Sequence, residues 1–174
     1  RRLRCRLPAA HASDRRFRRE DENEARDEHV ILLDTEAAEV RFVAEDAAAG
    51  TATPSVLRGF SAPVRLVDDL NAAERLHLMA HDRDLFNRWD SAQTLAEDAI
   101  LSLAAGDEVD LQALAGGYRQ ILGDDSLLDD FKAGALRLPG LAVLEAARQP
   151  AVPVALFTGR RALMASLGAS HDDL

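Results

Sequence analysis

Apolar and polar positions along this chain follow two different periods, and the change from one to the other divides it. Between His29 and Leu66 the apolar runs are short. Val30, Ile31, Leu32 and Leu33 form one of them. Val40, Phe42 and Ala44 then alternate with Arg41 and Val43, as the positions of a half-buried strand do. Gly50 and Pro54 punctuate a turn, and Val64 and Leu66 around Arg65, just after Pro63, predict a further short strand. These strands are too few to close a sandwich by themselves, because an isolated strand pair is marginal in water. The expectation is that more of the β unit lies outside this sequence.

Beyond Val67 the period becomes helical. Asn71 followed by Glu74 predicts a capping box, with Leu76 and Met79 facing inward. Leu85, Phe86, Trp89, Ala92, Ala96, Ala99, Ile100 and Leu103 recur at three- and four-residue steps, the stripe of an amphipathic helix of about five turns. Gly106 ends it. Asp110 is placed to cap a helix carrying Leu111, Leu114, Tyr118, Ile121 and Leu122, which Gly123 closes. Ser126 opens a short helix with Leu127, Leu128, Phe131 and Ala135 that stops before Pro139. Leu141 to Arg148 adds a turn or two, and Pro153 stands at the first position of a last helix bearing Leu156, Phe157, Leu163 and Leu167. Successive helices with short polar joints predict an antiparallel helical array, and no internal repeat marks it as a solenoid. The fold class expected is mainly α with a short β segment.

Residues 1–28 fit neither pattern. Arg1, Arg2, Arg4, Arg6, Arg15, Arg16, Arg18 and Arg19 give way to Glu20, Asp21, Glu22 and Glu24, with few apolar residues between. Such a segment buries too little surface to offset its ordering entropy and is expected to be a disordered, Arg-rich arm. A nucleic-acid-binding arm is the alternative for it. The chain as a whole argues against that use: its net charge is -9, whereas sequence-independent binding rests on neutralising phosphates. In 174 residues that are 47% hydrophobic and 29% charged, with a mean hydropathy of -0.17, no run approaches the roughly 18–20 apolar residues of a membrane span. The single cysteine, Cys5, excludes an internal disulfide, and the Arg-rich start has no apolar region behind it to make a signal peptide. Cytoplasm is therefore the expected compartment. The chain starts at Arg1 rather than Met and stops at Leu174 directly after a helical pattern, so a piece of a longer protein is expected.

The stretch Thr53-Pro54-Ser55-Val56-Leu57-Arg58-Gly59-Phe60-Ser61-Ala62-Pro63-Val64-Arg65-Leu66 resembles the segment that closes the β-sandwich domain of bacterial aminopeptidase N, the alanyl aminopeptidases of the gluzincin class. Leu78-Met79-Ala80-His81-Asp82 and Phe86-Asn87-Arg88-Trp89-Asp90-Ser91-Ala92-Gln93 resemble the start of that family's C-terminal helical domain. The match is densest from Leu57 to Leu95. It continues more loosely from Val30 to Leu174, through Arg160-Arg161-Ala162-Leu163 and His171-Asp172-Asp173-Leu174. Beyond the disordered arm at 1–28, expected from its composition and not covered by the resemblance, the resemblance implies two regions: the C-terminal part of an Ig-like β-sandwich at 29–68 and the first helices of the helical domain at 69–174.

The resemblance also implies a multidomain parent enzyme that removes N-terminal residues from peptides. In that family His-Glu-x-x-His and a distant Glu hold zinc, which polarises the scissile carbonyl and a bound water, with the motif Glu as general base. By order along the family's chain, all of this precedes Arg1. The present sequence is then expected to carry no catalytic, substrate-binding or metal-binding residues and to bind no zinc itself. Its partners would be the remainder of its own chain and, through the parent, peptide substrates, with no nucleic acid and no membrane. The Leu66 to Asn71 linker would set the position of the helical cap.

Other candidate chemistry is thin. His77 and His81 sit at i and i+4, a spacing that puts two imidazoles on one helical face. Position 78 is Leu, so the glutamate base is absent, and no third ligand is evident. They are expected to be one partly exposed histidine and one junction histidine. Trp89, with Phe86 and Arg88, has the composition of a stacking platform, but its helical spacing predicts core packing, where truncation costs ~3–5 kcal/mol. Asp124, Asp125, Asp129 and Asp130 lack the loop of a calcium hand and suit caps and a solvated face. Gly116-Gly117 has no phosphate-binding context, and Ser61, Ser91 and Ser102 have no nucleophile setting. Cys5 has no supporting histidine. The competing class is a non-enzymatic helical interaction module with a basic N-terminal arm, which predicts salt-dependent nucleic-acid binding that is lost with Arg1 to Arg19. A degenerate homologue kept as a partner-binding remnant reads the same way as the aminopeptidase fragment.

Overall fold

A computed structural model of the chain describes residues 2–6, 16–32, 34–36, 38–45, 52–64 and 66–169. Leu33, Gly50, Arg65 and the His171-Asp172-Asp173-Leu174 motif lie outside the described residues, as does part of the 1–28 arm. The architecture is mainly α with a short β segment. The chain divides into two compact units, Arg1–Arg88 and Trp89–Leu174.

The first unit holds the strands. β1 (Arg2–Arg6) lies between β3 (His29–Leu32) and β5 (Ser55–Val56) in an antiparallel sheet of order β3-β1-β5. Leu3 faces Ile31 and Cys5 faces His29 on one side, while Arg6 faces Ser55 on the other. β2 (Phe17–Arg19) pairs with β4 (Phe42–Ala44), Phe17 opposite Ala44. Phe17 is fully buried. Its ring sits 4.7 Å from that of His29 and 5.1 Å, edge to face, from that of Phe42, a geometry aromatic quadrupoles favour. His29 Nε2 donates to the Phe17 carbonyl at 2.7 Å. One small apolar cluster therefore ties β2, β3 and β4 together.

Two expectations are corrected here. The segment 1–28 is not an unstructured arm throughout, since β1 and β2 both fall within it. Arg2-Leu3-Arg4-Cys5-Arg6 does alternate with period two, but the density of arginine conceals the pattern, and β1's partners lie far away in sequence. No strand includes Val64 or Leu66. Instead Val64 N donates to the Ala62 carbonyl at 2.9 Å, a tight turn around Pro63 that is incompatible with a ladder. The strand that reaches β1 is the earlier pair Ser55–Val56.

α1 (Ala72–His81) begins at the predicted capping box with both arms formed. Asn71 Oδ1 accepts from Glu74 N at 3.0 Å, and Glu74 Oε2 accepts from Asn71 N at 2.9 Å. Leu78 and Met79 are its buried residues, whereas Leu76 is half-buried. α2 (Leu85–Ala105) ends at Gly106, whose φ of 87° suits glycine.

In the second unit α2 buries the narrow stripe Ala92, Leu95, Ala96, Ala99 and Ile100. α3 (Gln112–Leu122) buries Leu114, Ala115, Tyr118 and Ile121 and is closed by Gly123, as expected. Asp110 Oδ1 accepts from Gln112 N at 2.9 Å. α4 (Asp129–Ala135) and α5 (Leu141–Ala147) are short. α6 (Pro153–Ala169) buries Leu156, Gly159, Leu163 and Leu167 at steps of three and four residues. Gly159 is a contact point. A Cβ there would stand 2.7 Å from the Ile100 carbonyl oxygen and 3.1 Å from Ala104 N, so α6 meets the backbone of α2 where no side chain intervenes. Phe157, expected on the inner stripe, is instead 49% exposed, because the buried line runs through Gly159 and turns Phe157 outward.

Candidate functional site

The densest polar chemistry among the described residues lies in the first unit, between the β5 segment and the start of α2. After β5 the backbone enters the left-handed region at Leu57 (φ 63°), Gly59 (φ 60°) and Phe60 (φ 49°). Glycine accepts such values freely, but each non-glycine residue there costs on the order of 1–2 kcal/mol. The turn therefore requires external support, and Arg58 inside it supplies that support. Its guanidinium is buried, 6% exposed, and Nη1 donates to Ser55 Oγ at 2.7 Å and to Asp82 Oδ1 at 2.6 Å. Nε lies 3.5 Å from Glu28 Oε2.

Asp82 is 1% exposed and sits just beyond α1. Besides Arg58, its Oδ1 accepts from Asp84 N at 2.8 Å. Asp84 in turn caps α2 by accepting from Asn87 N at 3.0 Å, and its other oxygen takes Gly59 N at 2.8 Å. Asn87 Nδ2 completes the circuit by donating to Ser55 Oγ at 2.7 Å. Arg88 Nε donates to the Met79 carbonyl at 3.1 Å. The ring Ser55–Arg58–Asp82–Asp84–Asn87 thus links the last strand, the strained turn, the end of α1 and the start of α2. In a low-dielectric interior a hydrogen-bonded charge pair fixes orientation, and removing one member leaves the other stranded. Asp82 Oδ2 is buried without a hydrogen-bond partner among the described residues. Through Oδ1 alone the Asp82 carboxylate holds both the Arg58 guanidinium and the Asp84 backbone N–H, which is a positioning arrangement.

Sequence reasoning located Leu57–Phe60 and Leu78–Asp82 as motifs but missed that Arg58 and Asp82 form a pair. The available signal was only Arg58, set between Leu57 and Gly59-Phe60 where an unpaired charge would be costly; Asp82, in His81-Asp82-Arg83-Asp84, gave none.

The singled-out residues are otherwise dispersed. His77 and His81 face each other on α1 with ring centres 5.2 Å apart. His77 Nε2 is buried with no hydrogen-bond partner among the described residues, and His81 is exposed. Partial burial, then the His77 ring and the Arg88 charge, hold the His81 imidazole below its ordinary pKa. Trp89 is not a core residue. It is 39% exposed and lines a cavity of about 350 Å³ together with Gln93, Leu138, Pro139, Gly140 and Val143. The buried stripe of α2 is too narrow to include it, since it begins only with Ser91 and Ala92 in the second unit. Asp124 Oδ1 accepts from Ser126 N at 3.0 Å, and Asp129 and Asp130 occupy the first turn of α4. Ser91 is buried in α2, Ser102 half-buried near its end, and Ser61 half-buried after the strained turn. Cys5 lies in β1, its backbone in register with His29 of β3 and Val56 of β5. Among the described residues no group of three or more His, Cys, Asp or Glu side chains converges as a metal set, and no helix is long and apolar enough to cross a membrane.

Comparison with known proteins shows what this chain is similar to. A protein-family model described as a domain of unknown function, DUF3458_C, ARM repeats, matches residues 72–174. Aminopeptidase N of Caulobacter vibrioides is 40% identical over 151 residues, which is 86% of this chain and 17% of that protein. Aminopeptidase N of Escherichia coli is 31% identical over 125 residues, 69% of this chain and 14% of that protein. A crystal structure of Legionella pneumophila aminopeptidase A in complex with aspartic acid superposes with a TM-score of 0.72 over 97% of this chain and 19% of that one, at 23% identity, which shows the shared fold. The chain spans only 17% and 14% of the length of the two aminopeptidase N relatives. The likeness to bacterial aminopeptidase N read from the motifs is a real one.

Proposed function

Since the chain belongs to the DUF3458_C family of ARM repeats over residues 72–174, we propose that it is a structural segment of an aminopeptidase that removes N-terminal residues from peptides. The observation that carries this reading is the 40% identity to aminopeptidase N over 86% of the chain. The role fits the geometry of the first unit, where the Arg58–Asp82 ring holds a strained turn against two helix ends. In the parent, residues 29–68 would be the end of an Ig-like β-sandwich and 69–174 the first helices of a helical domain that limits access to the active site. Peptides are the substrates, the remainder of the same chain is the partner, and the cytoplasm is the compartment. Nucleic acid and membrane have no part in it.

The parent's zinc would be held outside this segment. The residues here do not fit the family's donor set, because Leu78 stands where the glutamate base would follow His77 and no third ligand converges among the described residues. The purified chain is therefore expected to lack aminopeptidase activity and to retain no zinc after chelation. The experiment is hydrolysis of an alanyl amide with and without chelator. Chelator-sensitive turnover by this chain alone would overturn the proposal. Salt-sensitive nucleic-acid binding lost with residues 1–19 would favour the interaction module instead.

A further inference from the structure

The proposed function makes no use of the histidine pair on α1, and the geometry there supports more than a passive contact. Two imidazoles bound through nitrogen at about 2.0–2.1 Å to one ion hold their ring centres roughly 4.5–5 Å apart, from a square-planar to a tetrahedral angle at the metal. The ring centres of His77 and His81 are already 5.2 Å apart, one helical turn from each other. His77 Nε2 is shielded from water and has no hydrogen-bond partner among the described residues, so one imidazole nitrogen has no other assigned use. His81, in the last turn of α1, is exposed and can rotate its ring to admit an ion.

We propose that His77 and His81 form a two-imidazole binding site for a borderline-soft divalent cation, with water in the remaining coordination positions. This departs from the expectation that the chain binds no metal. It assigns no catalysis, since Leu78 leaves the pair without an adjacent carboxylate base. Imidazole donors select copper, nickel and zinc over magnesium and calcium, and affinity rises toward copper. The nearby Arg88 charge opposes any cation at His81 as it opposes a proton. With only two protein ligands, the ion is exchangeable rather than permanent.

The test is calorimetric titration of the full chain, in a Cys5→Ser background to remove the thiol, with the chlorides of copper(II), nickel(II) and magnesium at about pH 7.5, where free imidazole is mostly neutral. One equivalent of copper or nickel is expected to bind, with magnesium silent. His81→Ala and His77→Ala should each weaken binding about tenfold or more, and the double variant little further, because either change destroys the chelate. Electron paramagnetic resonance of the copper complex should show two equivalent nitrogens. Unchanged copper affinity in His81→Ala would overturn the proposal, and because His81 is exposed that variant should retain the fold. No copper binding at millimolar metal, or a spectrum with a single nitrogen, would overturn it as well.

Discussion

The two units of this chain reach order by opposite routes. In 89–174 the helices follow from local signals: apolar stripes of period 3.6, Gly106 and Gly123 as stops, and Pro153 as a start. In 1–88 the decisive contacts join residues far apart in sequence: β1 with β3 and β5, Phe17 with Phe42, and Arg58 with Asp82. Local structure needs only neighbours to agree, whereas the sheet and the ion pair must first offset the entropy of closing long loops. Single substitutions should therefore act differently in the two units, through stranded charge in the first and through packing and propensity in the second.

The largest effect is expected at the buried pair. Arg58→Ala leaves Asp82 charged and unpaired in the interior and should destabilise the first unit by ~3–5 kcal/mol, measured by denaturant unfolding with hydrogen exchange resolving the two units. Arg58→Lys should recover only part of the loss, because one ammonium cannot reproduce the guanidinium's fork toward Ser55, Asp82 and Glu28. A loss below about 1 kcal/mol for Arg58→Ala would put the pair among ordinary surface salt bridges and remove the contrast between the units.

A paired change in the second unit comes next. Gly159→Ala should cost about 1–2 kcal/mol, because the new methyl meets the α2 backbone and the overpacking outweighs the helix propensity gained. Gly116→Ala, in the interior of α3 with nothing within 4 Å of the new atom, should instead stabilise by roughly 0.4–1 kcal/mol. Equal effects at both sites, read from thermal unfolding, would mean that α6 does not press on α2.

The smallest change at neutral pH is expected at Tyr118. It is fully buried, and its hydroxyl has no hydrogen-bond partner among the described residues. Replacing it with Phe removes an unsatisfied polar group and should be neutral to stabilising by about 1 kcal/mol. The difference grows in alkali. Burial raises the Tyr118 pKa to about 12 from the usual 10, so the unfolded chain loses this proton first. The contribution to stability is full below pH 10 and disappears as pH rises through about 12. Tyr118→Phe should abolish that alkaline loss. As Tyr118 is the chain's sole tyrosine, its tyrosinate absorbance reports the titration directly.

Particular residues show how far the sequence was legible. The Asn71–Glu74 capping box could be read outright because both partners lie within one turn. The long helix from Leu85 was equally clear, although Trp89 at its start is exposed beside a cavity, since periodicity gives a helix's face but not where its cover ends. β1 could not be seen among the arginines, and β5 is too short to give a periodic signal. The candidate site was half legible. Its motifs carried the family resemblance, while the link between Arg58 and Asp82 could not be read because nothing local requires it.

The sequence alone thus determined the run of helices, the Asn71–Glu74 capping box, the stops at Gly106 and Gly123, and the kinship with aminopeptidase N, because these rest on neighbouring residues and on motifs in fixed order; it opened α4 too early, at Ser126 instead of Asp129. Only the tertiary structure decided which strands pair, that Phe157 turns outward while Gly159 turns in, and that one buried arginine holds a left-handed turn against two helix ends. Those outcomes depend on which distant surfaces exclude water together. Periodicity along the chain carries no record of that choice.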